Sequence, residues 1–124
     1  MLIFNSTNGD PMLLDSVQGL RELQKQFEHF LSSSEVEVSF QAMTDSNPAP
    51  YEELLGGLRV TKNDDSNYLT FSEDRWLVLS ASPTVLSEFS NNLLVEKDGE
   101  HNHWHSRPVS LVIEADEWRA GHEL

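Results

Sequence analysis

Three of the chain's five histidines stand at positions 101, 103 and 105, in the run His101-Asn102-His103-Trp104-His105. On an extended strand the two-residue period puts all three imidazoles on one face. Imidazole is both a common metal ligand and a group that titrates near pH ~6.5, so a His-x-His pair is a candidate zinc or nickel site. Geometry limits that chemistry. A rise of ~3.3 Å per residue sets the outer pair about 13 Å apart, too far for both to reach one zinc through Zn–N bonds of ~2.1 Å. Two of the three could ligate one ion, and His29, His122, Glu100 or Asp98 would have to complete the shell. The competing reading is a row of ordinary sheet-face histidines, partly stacked and hydrogen-bonded. A third makes the imidazoles, with Trp104 or Trp76, part of a recognition surface, because aromatic rings supply large contact area at low entropic cost. Lowering the pH would then reduce the negative charge of that face.

Other reactive patterns are missing from the sequence. There is no cysteine, which removes thiol nucleophiles, disulfides and Cys-based metal sites together. No Gly-x-Ser-x-Gly elbow, His-Glu-x-x-His motif or dinucleotide glycine fingerprint occurs. The pair Gly56-Gly57 is not followed by Gly-Lys-Ser/Thr, so it reads as a helix stop and strand entry rather than a phosphate loop. Carboxylate pairs such as Glu52-Glu53, Asp64-Asp65 and Asp116-Glu117 fall in loops or at element ends, where solvated surface charge is the usual explanation. The expectation is a protein without catalytic residues and without a cofactor.

The elements that must position these groups are legible from periodicity. Val17, Leu20, Leu23, Phe27, Phe30 and Leu31 recur at three- and four-residue intervals after Asp15, with Gln18 three residues on. That predicts an amphipathic helix over about 15–32, capped by Asp15 and ended by Ser32-Ser33-Ser34. Residues 35–43 switch to a period of two, with Val36, Val38, Phe40 and Ala42 on one face of a half-buried strand. Thr44 to Pro50 is a loop, and Tyr51 to Leu55 reads as a single helical turn. Strands over 58–62, 68–71 and 76–80 follow one another across turns and predict an antiparallel meander. Ser82-Pro83 starts a second helix over about 83–95, and the histidine run and residues 109–113 supply two more strands. The expected architecture is one α+β domain over 1–124, a two-layer sandwich with an antiparallel sheet of about six strands and two helices on one face.

The chain has 124 residues, enough to bury around two thirds of the roughly 20,000 Å² its unfolded form would expose. Twenty-one acidic residues face eight basic ones, a net charge of −13. Such a balance argues against nucleic acid, whose phosphates are held mainly by Lys and Arg, and against an anionic membrane surface. It suits a basic protein partner, since fields of opposite sign steer association. Met1 to Leu14 carries no Lys or Arg and its apolar stretches are broken by Asn5 to Asp10, unlike a signal peptide. No uncharged apolar stretch approaches the ~18 residues of a membrane span. A cytoplasmic location is the expectation.

From Tyr68 onward the order of features resembles the immunity protein 32 family of bacterial polymorphic toxin systems. The matching pieces are the strand Trp76 to Ser80, the helix after Ser82-Pro83, the His-x-His strand at 101–105, and the strand Ser110-Leu111-Val112-Ile113. The resemblance implies an α+β protein that binds and neutralises a cognate toxin inside the producing cell or its kin. The partner would be a basic toxin domain, since nuclease toxins carry basic clefts. Two other classes stay open: a metal-binding accessory domain built on His101, His103 and His105, and a general interaction module forming a homodimer through an exposed sheet edge.

Overall fold

The computed structural model, which describes residues 1–122, opens on a hairpin of Leu2–Ser6 (β1) and Gly9–Asp15 (β2). Leu2, Ile3, Phe4, Leu13 and Leu14 are all buried there, so both faces of the hairpin are covered. Among the described residues seven more strands and three helices follow: Val17–Ser32 (α1), Glu37–Gln41 (β3), Glu53–Leu54 (β4), Gly57–Lys62 (β5), Asn67–Phe71 (β6), Leu77–Ala81 (β7), Pro83–Asn92 (α2), His101–Trp104 (β8), Leu111–Ala115 (β9) and Glu117–His122 (α3). The result is a small α+β domain. Its strands divide between two sheets, of five in the order β4-β1-β2-β9-β8 and of four in the order β3-β5-β7-β6, where one sheet of about six was expected.

Three local expectations are corrected. Residues 51–55 do not form a helical turn: β1 has an open edge, and Leu54 and Glu53 pair with Phe4 and Asn5 to close it. The three strands from 58 to 81 are not a meander, because β7 inserts between β5 and β6 and runs parallel to β5. Composition explains the insertion. Leu77, Leu79, Ser80 and Ala81 of β7 are buried, the mark of a strand paired on both edges, whereas β6 buries only Leu69. Finally, the cap of α1 is Ser16, whose hydroxyl accepts from the Gly19 N–H at 2.9 Å. Asp15 is tied into β2 opposite Ala115 and instead accepts from the Ser16 N–H at 2.8 Å and pairs with the N-terminal ammonium at 3.3 Å.

One core joins both sheets to α1 and α2. The apolar stripe of α1 buries Leu20, Leu23, Phe27 and Phe30 as its period predicts, and α2 adds Leu86 and Phe89. Phe27 lies at the junction, its ring 5.9 Å from Phe40 of β3 and 5.4 Å from Phe89 of α2. Between the helices the buried Ser90 hydroxyl donates to Glu28 Oε1 at 2.8 Å and accepts from Gln24 Nε2 at 3.1 Å. A smaller cluster of Leu2, Phe4, Met12 and Leu14 forms on the other side of the five-stranded sheet, with Met43, Tyr51 and Ala120 packed on it. Helices therefore lie on both sides of that sheet.

Gly56 and Gly57 keep their role as a strand entry, for a reason of space. The Trp76 indole lies against both, and a Cβ at Gly57 would collide with the Phe40 carbonyl oxygen and the Trp76 ring. Backbone cannot yield as a flexible side chain does, so Gly57→Ala is expected to cost about 1–3 kcal/mol, the range for overpacked sites. Urea unfolding measures it. A cost below about 0.5 kcal/mol would show that β3 and β5 separate without penalty.

Candidate functional site

Residues 101–104 become a strand because Asn102 and Trp104 alternate inward while His101, His103 and His105 alternate outward. Trp104 packs edge-on against Phe89 at 5.4 Å, and the Asn102 amide donates to the Asn92 carbonyl at 3.0 Å. These two anchors fix β8 onto α2. Among the described residues the buried indole N–H of Trp104 has no hydrogen-bond partner. The three histidines are exposed, with ring centroids 5.0 Å apart between His101 and His103 and 6.1 Å between His103 and His105, the latter pair stacked. They form a ladder along the strand, as the two-residue spacing requires.

β8 is also the edge of its sheet. The Ala115 N–H bonds the Glu100 carbonyl at 3.0 Å, so in this antiparallel ladder the even-numbered residues turn their backbone groups toward β9. His101 and His103 turn theirs outward. Directly opposite them on β9 stand Glu114 and Val112, which places one carboxylate on the histidine face. At either end of the strand lies a hollow, one lined by Glu96, Glu100 and Asn102, the other by Asn67, Ser106 and Arg107.

Not all the sequence candidates come together. Trp104 is on the opposite side of β8 from the imidazoles. Trp76 stands just before β7 of the four-stranded sheet, where it is held between Gly56-Gly57 and the Arg59 guanidinium, 4.6 Å above its ring. His29 stands on the last turn of α1 and lines a groove with β3. Asp98 accepts the Glu117 N–H at 2.7 Å and so serves the start of α3. Glu100 accepts the Lys97 N–H at 3.1 Å. His122 ends α3, and its side chain lies outside the described residues. Among the described residues no group of three or more His, Asp or Glu is disposed to hold a metal ion. Nor, among the described residues, is any helix long and apolar enough to cross a membrane.

The electrostatics of the surface are uneven in a way composition does not reveal. Arg59 makes a two-pronged contact with Asp74 at 3.1 and 2.5 Å. Arg75 pairs with Glu53 and lies over Phe71. Lys62 sits 4.5 Å above the Phe30 ring and donates to the Ser33 carbonyl, while Arg119 sits 4.3 Å above Phe4 and donates to the Ala49 carbonyl. Lys25 pairs with Glu22 on the α1 surface. Five of the eight cationic side chains are thus engaged within the fold.

The Arg59 guanidinium, and after it the Ser72 hydroxyl, hold the Asp74 carboxyl well below the usual carboxylate range. Hydrogen bonding from Arg75 lowers Glu53 in the same direction, against a smaller opposing effect of burial. A carboxyl lowered in the folded state stabilises fully above its unfolded value, and that contribution disappears only as pH falls through the lowered folded value. Asp74 is therefore expected to remain ionised at pH about 3, below the ordinary ~3.9, in a carboxyl-carbon NMR titration. Arg59→Ala should move its midpoint upward; an unchanged midpoint would remove Arg59 as the cause.

No protein-family model, curated protein or solved structure matches this chain.

Proposed function

We propose that this chain is an immunity-type protein that binds and neutralises a cognate bacterial toxin by presenting an acidic surface to a basic toxin domain. The observation that carries the reading is the division of charge. Five of the eight cationic side chains are engaged in intramolecular ion pairs, ring stacking or carbonyl contacts. Among the described residues only Asp15, Glu22, Glu53 and Asp74 take part in ion pairs, which leaves most of the carboxylates facing solvent unneutralised. Such a surface generates a field that attracts a cationic partner and repels polyanions. The order of strand, helix, His-x-His and aliphatic strand that resembles the immunity protein 32 family points the same way.

The role is binding in the cytoplasm, without catalysis and without a resident cofactor. Steric cover is enough for it: an inhibitor that occupies a basic cleft excludes the substrate that the cleft would hold. The test is protection. Cells expressing the C-terminal toxin domain encoded beside this gene should survive only when this chain is co-expressed, and the purified pair should form a one-to-one complex. Growth arrest that co-expression does not relieve, with no complex in solution, would overturn the reading.

A further inference from the structure

We infer that the open edge of β3 is the docking site for an extended, basic segment of the partner, which adds to the four-stranded sheet as a fifth strand. The inference rests on the toxin-binding reading and supplies its contact surface.

The hydrogen-bond register of β3 shows which of its backbone groups are open. Lys62 N–H bonds the Val36 carbonyl at 2.8 Å and Ala42 N–H bonds the Gly56 carbonyl at 2.9 Å. Along β3 and the residue flanking it at each end, positions 36, 38, 40 and 42 therefore direct their backbone groups to β5. Glu37, Ser39 and Gln41 direct theirs the other way. Among the described residues no hydrogen bond reaches those outward N–H and C=O groups, and the open edge ends where Met43 N–H bonds the Met1 carbonyl at 2.9 Å. The opposite edge of the same sheet is treated differently. There Leu69 of β6 accepts from Val109 N–H and donates to the Arg107 carbonyl, so the 107–109 segment covers it.

The open edge borders a groove rather than bare solvent. Two hollows, of about 430 and 330 Å³, share Gln26, Ser39 and Phe40 and run between β3 and α1. Phe30, Val38, Phe40 and Leu23 give the groove apolar walls. A strand laid along β3 would form main-chain hydrogen bonds with Glu37, Ser39 and Gln41, and alternate side chains would enter the space beside Val38 and Phe40.

Charge selects the occupant. The cations bordering the groove are already matched, Lys25 by Glu22 and the N-terminal ammonium by Asp15. Glu35 and Glu37 line it without an ion pair among the described residues. The segment that fits alternates apolar residues toward α1 with Lys or Arg on the face beside Glu35 and Glu37. A second copy of this chain, itself at −13, is opposed by the same charge.

The test uses a proline. Because the Ser39 N–H points away from β5, Ser39→Pro deletes an outward donor and obstructs an incoming strand while the β3–β5 ladder stays whole. The probe is the basic toxin domain encoded beside this gene. Ser39→Pro should weaken its binding at least tenfold with the melting curve of the free protein unchanged within a few degrees. Amide exchange of the unaltered protein gives a second readout that needs no variant: Glu37, Ser39 and Gln41 should become protected in the complex. A folded Ser39→Pro that binds as the wild type does, or a complex in which those three amides exchange as in the free protein, overturns the docking site and leaves the toxin-binding reading intact. Failure of the wild type itself to bind ends both. A concentration-dependent dimer that Ser39→Pro abolishes, with toxin binding unaffected, would give the edge to a second copy and also overturn the inference.

Discussion

Replacing Phe27 by Ala is expected to lower the unfolding free energy by about 3–5 kcal/mol, the range for truncating a fully enclosed aromatic ring. The ring is completely buried and touches α1, β3 and α2 at once through Phe30, Phe40 and Phe89. A cavity there cannot close by moving one element, because the helix stripe is fixed on one side and the sheet on the other. Set against a typical domain stability of about 5–15 kcal/mol, the loss is a large fraction of the whole. The thermal midpoint should fall by roughly 10–20 °C for a chain of this size. Urea titration with an unchanged slope would confirm that the native fold, and not the unfolded ensemble, was altered. Val36→Ala makes the comparison, since Val36 is 60% exposed and its truncation should stay within about 0.5 kcal/mol. A Phe27→Ala cost below about 1 kcal/mol would mean that the two sheets are held together by something other than this aromatic junction.

The second large effect is on association, and it follows from the proposed function. Raising the ionic strength from about 0.01 M to 1 M shortens the screening length from ~30 Å to ~3 Å. Steering by a net charge of −13 toward a basic toxin domain should then be lost. The association rate is expected to drop roughly 100-fold, from the steered range of 10⁸ M⁻¹s⁻¹ toward the ~10⁶ M⁻¹s⁻¹ of uncharged partners. Dissociation should change far less, because it is governed by short-range contacts such as the main-chain hydrogen bonds inferred along β3. Stopped-flow mixing at several salt concentrations separates the two rates. An association rate indifferent to salt would exclude charge as the basis of recognition, even if a complex forms.

The helices are more legible in the sequence than the sheets. The stripe Leu20, Leu23, Phe27, Phe30 and the cap-and-proline start at Ser82-Pro83 both depend on neighbours within four residues, so local spacing suffices. The six residues of α3 gave no such signal, being too few to show a period. The N-terminal hairpin carried one that composition obscured: Leu2-Ile3-Phe4 and Met12-Leu13-Leu14 are continuous apolar runs on either side of Asn8-Gly9, the pattern of strands buried on both faces. Val36 was expected to point inward with Val38 and Phe40, but β3 begins one residue later and Val36 is left exposed outside it.

The histidine ladder was legible because a period of two fixes the side of a strand without reference to anything else, and His101, His103 and His105 do share an exposed face. Their company was not. Trp104 and Trp76 are neighbours of that run or of its family resemblance in sequence, yet one turns inward to Phe89 and the other is clasped by two glycines and an arginine beside a different sheet.

The amino-acid order alone determined that the chain is an acidic α+β domain without thiol chemistry, with two amphipathic helices and a histidine row on an extended segment. Those properties are sums over composition or over contacts a few residues apart. Only the tertiary structure decided that the strands form two sheets, that β7 runs parallel to β5, that most cations are spent inside the fold, and that β3 is left with an open edge beside an apolar groove. Each of these depends on which distant segments meet, and hydrogen-bond partners across a sheet are chosen by the fit of whole faces rather than by the residues next along the chain.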